Sequence, residues 1–202
     1  MYQVKAFEEK NLKVLFDFMQ QHRLAALVTQ FDGELDANHI PFEIVQESNG
    51  LGQLHAHIAK ANPLYQKILQ QPHSDVLVIF QSDSNYISPN WYPEKILHHK
   101  VVPTWNYKAV HIKGKLSLIE DPKHLLELLQ HLTNQEEAKL LQNTAWSLSD
   151  APQDYINQML NYIVGIQIEI LDIDAKFKMS QNKSPETQQA VQKALNNRKH
   201  QD

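Results

Sequence analysis

Two segments of this chain alternate apolar and polar residues with a period of two, and that period restricts what they can become. In VHIKGKLSLI (110–119), Val110, Ile112, Leu116 and Leu118 fall on one face, with His111, Lys113, Lys115 and Ser117 on the other. YIVGIQIEILDI (162–173) repeats the pattern through Ile166, Ile168 and Ile170. LAALVTQF (24–31) also reads as a strand. Asp32-Gly33 is a hairpin signal, and ELDANHIPFEIV (34–45) is the expected return strand. SNGLG (48–52) reads as the next turn, followed by the strand QLHAHIA (53–59) and the buried strand DVLVIFQS (75–82).

Helical spacing appears in four places. Residues 7–22 place Phe7, Leu12, Leu15, Phe16 and Met19 on one face. NPLYQKILQQ (62–71) has Asn62 as a cap and Pro63 at its first position. DPKHLLELLQHLTNQEEAKLL (121–141) starts with Asp121 before Pro122, and a shorter helix is expected around 152–160. The order is helix, several antiparallel-type strands, a helical insert near 121–160, then a late strand. That is not the repeating strand–helix order of a doubly wound sheet. The expected class is mainly β with flanking helices (α+β), an antiparallel barrel with helices outside it. Residues 1–183 are expected to form this domain, and 184–202 a polar C-terminal helix or tail.

Composition narrows the chemistry. The chain has no cysteine, which excludes disulfides, thiolate nucleophiles and cysteine metal sites. Its net charge of −4 argues against broad attraction to nucleic acid or anionic membrane. MYQVKAFEEK has no apolar signal region, and runs such as Leu24–Val28 are too short to span a bilayer. A cytoplasmic protein is the expectation. There is no Gly-rich phosphate loop, no GxSxG and no acidic pair suited to glycoside hydrolysis.

YISPNWYPEKILHHKVVPTWNY (86–107) concentrates two of the three tryptophans and three of the seven tyrosines among three prolines. Pro89, Pro93 and Pro103 push Ser88, Tyr92 and Val102 towards extended conformations. A long connecting loop is expected. Its aromatics either cap the open end of a barrel, or wall a site for a flat ligand or a dimer interface. HAHIAKANP (55–63) offers a place for phosphate: Lys60 supplies charge, and the helix beginning near Asn62 supplies free N–H groups. KFKMSQNK (176–183) adds three lysines with Ser180, Gln181 and Asn182. The plainer reading makes all these lysines a solvated rim. His55 and His57 share a strand face, a spacing that can bind metal. With no HExxH and no clustered carboxylate, no metal is assigned.

Five stretches, YISPNWYP (86–93), VVPTWNYKAVHIKG (101–114), HAHIAKANP (55–63), DANHIPF (36–42) and KMSQNK (178–183), together resemble the PaiB-type FMN-binding negative transcriptional regulators. These are a branch of the FMN-binding split-barrel proteins related to pyridoxamine-phosphate oxidase. The resemblance runs to about residue 183. It implies an antiparallel split β-barrel working as a homodimer, with FMN at the subunit interface. Asn38, His39, Ile40 and Pro41 would lie along the flavin. His57, Ala59, Lys60 and Asn62 would hold the ribityl phosphate. Tyr86, Ser88, Trp105 and Asn106 would line the ring region, and Lys178, Ser180 and Gln181 would reach in from the C-terminal strand. Relatives commonly have arginine at the position of Lys60. Lysine keeps the charge but loses the forked geometry.

The resemblance also implies negative regulation. The sequence shows no recognition helix and no basic face, so direct DNA contact is not expected and regulation would be indirect. The alternative is a flavin-dependent oxidoreductase or haem-handling protein on the same barrel.

Overall fold

The computed structural model describes residues 1–47, 50–140 and 145–199. The turn expected at 48–52 begins outside them; the helix expected over 121–141 ends at Lys139, and residue 141 lies outside them. The chain forms two compact units. The first gathers Met1–Leu15, Gln81–Val110 and Asp174–Asp202; the second gathers Phe16–Phe80 and His111–Ile173.

The second unit is built on a sheet. β1 (Leu24–Phe31) turns through Asp32 (φ 51) and Gly33 (φ 83) into β2 (Glu34–Pro41), its antiparallel partner from Phe31↔Glu34 to Leu24↔Pro41. Both turn residues have positive φ, the demand of a two-residue hairpin. β3 (Glu43–Val45) pairs antiparallel with β4 (Gln53–Ala59), and β5 (Ser74–Gln81) pairs antiparallel with β1. Two long strands, β7 (Thr104–Ile119) and β8 (Ile163–Lys178), give the order β2-β1-β5-β7-β8-β4-β3. β2 and β3 stand at the ends of that path, so the sheet is open.

The expected return strand at 34–45 is two strands. Pro41 cannot donate to a ladder, and it ends β2 at the sheet edge. Phe42 turns inward, is fully buried, donates its N–H to Arg23 O (3.0 Å) and meets Phe80 edge-on at 6.1 Å. β3 then joins β4 instead of β1. The alternation expected at 110–119 holds through Val110, Ile112, Gly114 and Leu116, then slips: Ile119 is buried where Leu118 was expected.

Helices flank the sheet. α1 (Leu12–Gln21) carries the buried Leu15, Phe16, Phe18 and Met19. α2 (Pro63–Gln70) buries Leu64 and Ile68. α4 (Pro122–Lys139), capped by the Asp121 side chain, packs Leu125, Leu128 and Leu132 with Leu160 of α5 (Gln153–Leu160) and Ile163 of β8. Polar contacts also tie α4 down. His131 Nδ1 lies 3.2 Å from Glu43 Oε1 on β3, and His124 Nε2 lies 3.2 Å from His55 Nδ1 on β4. His55 Nε2 lies 2.9 Å from Gln53 Oε1, which can only accept, so His55 donates there and accepts from His124 through a bare Nδ1.

In the first unit, β6 (Asn85–Ile87) pairs antiparallel with the start of β7 (Tyr86↔Trp105, Ile87↔Thr104). The stretch 86–107 is therefore structured, not a loop. Pro89 opens a 3-10 turn, Pro93 precedes α3 (Glu94–His98), and Pro103 stands just outside β7. Each proline occupies a position where a missing N–H costs nothing. α6 (Pro185–Lys199) makes the polar tail a helix. Its Val191 and Leu195 pack with Ile87, Tyr92, Trp91 and Val101.

Two predictions follow from the sheet and its helix. A Cβ added at Gly114 would fall well inside van der Waals contact distance of the Glu169 carbonyl oxygen and 2.6 Å from Ile168 Cγ2. Gly114→Ala is expected to lose about 1–3 kcal/mol of stability in urea denaturation by overpacking. Burial, and then the neighbouring His124, lower the His55 pKa from 6.5 to about 4. The unfolded chain thus takes up the proton first as pH falls. The stability contributed by neutral His55 is complete above its ordinary pKa of 6.5 and is lost as pH falls towards 4. Stability should decline across that window, and His55→Gln should flatten the decline; an unchanged slope would assign it to another group.

Candidate functional site

The residues singled out in the sequence fall into two groups, one in each unit. In the second unit the group gathers where the edge strand β2 meets the loop between β4 and α2. Asn62 is the joint. Its Oδ1 accepts from Leu64 N (2.9 Å), capping α2, while its Nδ2 donates to Asn38 Oδ1 (2.8 Å) on β2. Both polar ends of the Asn62 side chain are thereby occupied, so it braces the site and has little left for a ligand. Ile40 is buried, whereas His39 and Pro41 are exposed; β2 alternation leaves Ile40 only its backbone to offer.

The α2 start differs from expectation. Pro63 has no N–H, Leu64 N is taken by Asn62 Oδ1, and Tyr65 N donates to Asn62 O (3.0 Å). Lys60 N donates to Tyr162 O (2.8 Å). The first turn of α2 therefore holds few free donors, and anion binding here falls to side chains. Lys60 is exposed, and its ammonium makes no ion pair or hydrogen bond among the described residues. It borders a cleft of about 340 Å³ with Tyr65, Leu69, Asp121, Leu160 and Asn161. His57, on β4, has a buried Nδ1 with no hydrogen-bond partner, and burial lowers its pKa. A buried ring nitrogen without a partner costs free energy unless something outside the chain satisfies it. Ala59 ends β4, exposed.

In the first unit the group is arranged on the two faces of one strand. Trp105 and Tyr86 lie opposite each other across β7 and β6, with rings edge-to-face at 5.7 Å. Both are substantially exposed. Asn106 points the other way and is buried, its Oδ1 accepting from the buried Ser180 Oγ at 3.0 Å. The Lys178 ammonium donates to the Thr104 hydroxyl, and Gln181 Nε2 donates back to Phe177 O. Ser180 has φ 65, so the chain leaving β8 turns sharply at this point. Ser88 Oγ caps the 3-10 turn by accepting from Asn90 N (3.2 Å). Of these residues, Tyr86 and Trp105 face outward, while Asn106 and Ser180 bind each other, Lys178 binds Thr104 and Gln181 binds neighbouring backbone.

Three partners escaped the sequence reading. Thr104 lies one place before Trp105 and two before Asn106, so a period of two run backwards from Asn106 would have found it. His124 carries no local signal; only the fold brings it to His55. Thr187 lies in the segment expected to be a polar helix or tail, yet its hydroxyl and that of Ser184 donate to the Glu94 carboxylate, lowering the Glu94 pKa. The Val191–Leu195 spacing was the available clue. Among the described residues no group of three or more His, Asp or Glu side chains could hold a metal ion, and no helix is long and apolar enough to cross a membrane.

Comparison with solved structures finds the same fold elsewhere. The fold resembles that of the conserved hypothetical protein Rv2991 of Mycobacterium tuberculosis (TM-score 0.61, 13% identity, 92% of this chain and 94% of that one). It also resembles the flavocytochrome Anf3 of Azotobacter vinelandii (TM-score 0.59, 14% identity, 88% and 72%). A third is the FAD and heme binding protein of Mycobacterium smegmatis (TM-score 0.57, 14% identity, 85% and 73%). At such identities these show the fold alone. In sequence, the chain is 32% identical over 184 residues to protease synthase and sporulation protein PAI 2 of Bacillus subtilis, covering 91% of this chain and 84% of that protein. It is 30% identical over 212 residues to an uncharacterized protein of Emericella nidulans, covering 90% and 84%. Residues 1–172 match the family model described as "Putative FMN-binding domain". The chain belongs to that FMN-binding family, and FMN is the cofactor that goes with it.

Proposed function

We propose that the protein is a homodimeric FMN-binding split-barrel protein of the PaiB type that acts as a negative regulator of transcription. The observation that carries the flavin reading is the buried, unpartnered Nδ1 of His57, on the strand that leads to Lys60 and to the Asn38–Asn62 brace, in a chain of an FMN-binding family. Lys60 would hold the phosphate and His57 would bond to the cofactor's polar tail. By the resemblance, Asn38–Pro41 would lie along the flavin, while in the first unit the ring-lining role falls to Tyr86, Ser88, Trp105 and Asn106 and a contact role to Lys178, Ser180 and Gln181. When bound, FMN supplies a carrier of one or two electrons. The chain's own residues bind it and shield it from water.

The regulatory part draws on the name of the Bacillus subtilis relative and on the resemblance to PaiB-type regulators. Among the described residues the basic helical candidate is α6, which carries Lys193, Arg198 and Lys199 beside Glu186 and five amide side chains. That is too little charge to hold DNA against a net −4. Regulation is therefore proposed to run through the flavin or through a protein partner. A gel shift over promoter fragments at low salt should show no retardation; a salt-sensitive shift would establish direct contact.

A second reading, a flavin-dependent oxidoreductase or haem-handling protein, draws on the flavocytochrome and the FAD and heme binding protein that share the fold. Anaerobic mixing of FMN-loaded protein with NADH or NADPH separates the two. Bleaching of the flavin band would favour the reductase, and a Soret band on haem addition the haem-handling form.

The purified protein, loaded with FMN, should show flavin absorption and the mass of a dimer in light scattering. Protein that takes up no FMN at micromolar concentration would refute the cofactor assignment. Lys60→Ala should weaken FMN about 10–100-fold, the worth of one charge-assisted bond of about 1.5–3 kcal/mol. Lys60→Arg should retain binding. Trp105→Ala should weaken FMN and the dimer together; normal values for both would mean the tryptophan merely covers the end of the barrel.

A further inference from the structure

Helix α4 is fastened to the sheet at two points that respond to protons in opposite ways. His124, in its first turn, meets His55 on β4: Nε2 lies 3.2 Å from Nδ1, and the rings stand edge-to-face at 4.9 Å. Two turns further on, His131 Nδ1 lies 3.2 Å from Glu43 Oε1 on β3. The carboxylate can only accept, so His131 donates. A proton on its other nitrogen leaves that bond in place and adds charge to it. The first contact has no such tolerance. His55 Nε2–H is committed to Gln53 Oε1 (2.9 Å), and the bare Nδ1 is what accepts from His124. A proton on His124 leaves the donor in place. A proton on His55 removes the acceptor and, with His124 charged, sets two cations against each other.

The surroundings do not compensate. Glu43 stands opposite His55 in the β3–β4 register, but its Oε1 is given to His131. From β8, the uncharged Gln167 stands opposite His55, and the exposed Glu169 opposite Gln53. His57, two places along β4, has a buried Nδ1 without a partner and brings no counter-charge. On α4 itself Asp121 caps the helix, and Lys123 and Glu127 are exposed. α5 and the start of β8 meet α4 through the apolar Leu160 and Ile163. Burial, and then His124, hold the His55 pKa down. The far end of α4 is anchored separately: Arg23 Nε lies 3.1 Å from Glu136 Oε1, and Leu128 and Leu132 are buried. Loss of the His124 contact therefore frees the first turn and not the helix. That turn is also a wall. Pro122 and Leu125, flanking His124, line the cleft of about 340 Å³ that Lys60 borders.

We propose that the His55–His124 contact is an acid-released latch: protonation of His55 frees the first turn of α4 to swing away from β4 about its His131–Glu43 and Arg23–Glu136 anchors, opening the cleft beside Lys60. The latch stands on the contacts of α4 alone; its consequence for the cofactor rests on the FMN reading above. Acid loosens the wall next to the proposed phosphate contact, and FMN affinity falls with it.

The test compares amide hydrogen exchange of apo wild type, His55→Asn and His124→Gln at about pH 7.5 and about pH 4.5, each rate divided by that of the unstructured chain at the same pH. Asn puts an amide oxygen close to where Nδ1 stood and takes up no proton; Gln can turn its amide to donate or to accept. Wild-type amides at 125–128 should lose about tenfold or more of their protection in acid, within what a His55 pKa of about 4 against 6.5 allows. Amides at 131–136 and in β1 should keep theirs. Both variants should stay protected at 125–128 at either pH, and one suffices should the other not fold. Unchanged wild-type protection at 125–128, a loss spread evenly over α4 and β1, or an equal loss in the variants would each overturn the latch. FMN Kd is then measured at about pH 7.5 and about pH 5. The phosphate takes up its own second proton at about pH 6, which weakens binding in all three proteins alike. Wild type should weaken about threefold or more beyond either variant. Equal weakening would overturn the link between latch and cleft. Protein that takes up no FMN would defeat the cofactor reading, and the exchange result would still judge the latch.

Discussion

The structure depends on the close approach of β7 to β8 at Gly114, where the backbone presses against the Glu169 carbonyl with no room for a side chain. These are the two longest strands, sixteen residues each, and both continue from one compact unit into the other. Their register decides which side chains at 104–106 and 176–178 point inward. A slip of one residue would turn Asn106 outward and Trp105 inward, exchanging the two faces on which the first-unit group is laid out. Gly165 repeats the requirement on β8, where a Cβ would meet Ile119.

Much of this was legible where local chemistry and fold agree. The Asp32-Gly33 turn, the Asn62–Pro63 helix start and the Asp121 cap each rest on neighbouring residues, and each formed as expected. What escaped depended on distance or on competing signals. The prolines at 89, 93 and 103 suggested a structureless loop, but they punctuate elements and do not interrupt them. ELDANHIPFEIV reads as one strand because its alternation continues through Phe42; the break comes at Pro41, after which Phe42 packs on Phe80 and Glu43–Val45 pairs with β4. His124 is 69 residues from His55, and no period in the sequence links them. In the candidate site the motifs mark segments and not the partner of each side chain: Asn62 and Asn106 look like ligands in sequence, and the structure shows both bonded within the chain.

The division between satisfied and unsatisfied polar groups separates scaffold from site. Ser180 bonds to Asn106, Lys178 to Thr104 and Asn62 to Asn38, and such closed sets fix geometry. Lys60 and His57 Nδ1 stand apart from any such set. A flavin reading that asks these two for direct contacts, and the closed sets for positioning, is consistent with both kinds of residue.

The Asn62–Pro63 junction has a consequence for the lifetime of the protein. Asparagine in proteins ages by attack of the following backbone nitrogen on its side-chain amide, forming a succinimide that opens to aspartate or isoaspartate. Proline's ring nitrogen carries no hydrogen and cannot follow that route. The same residue that starts α2 thus guards the amide joining it to β2. Without that guard, chemical wear would leave a carboxylate facing Asn38 Oδ1, two residues from Lys60.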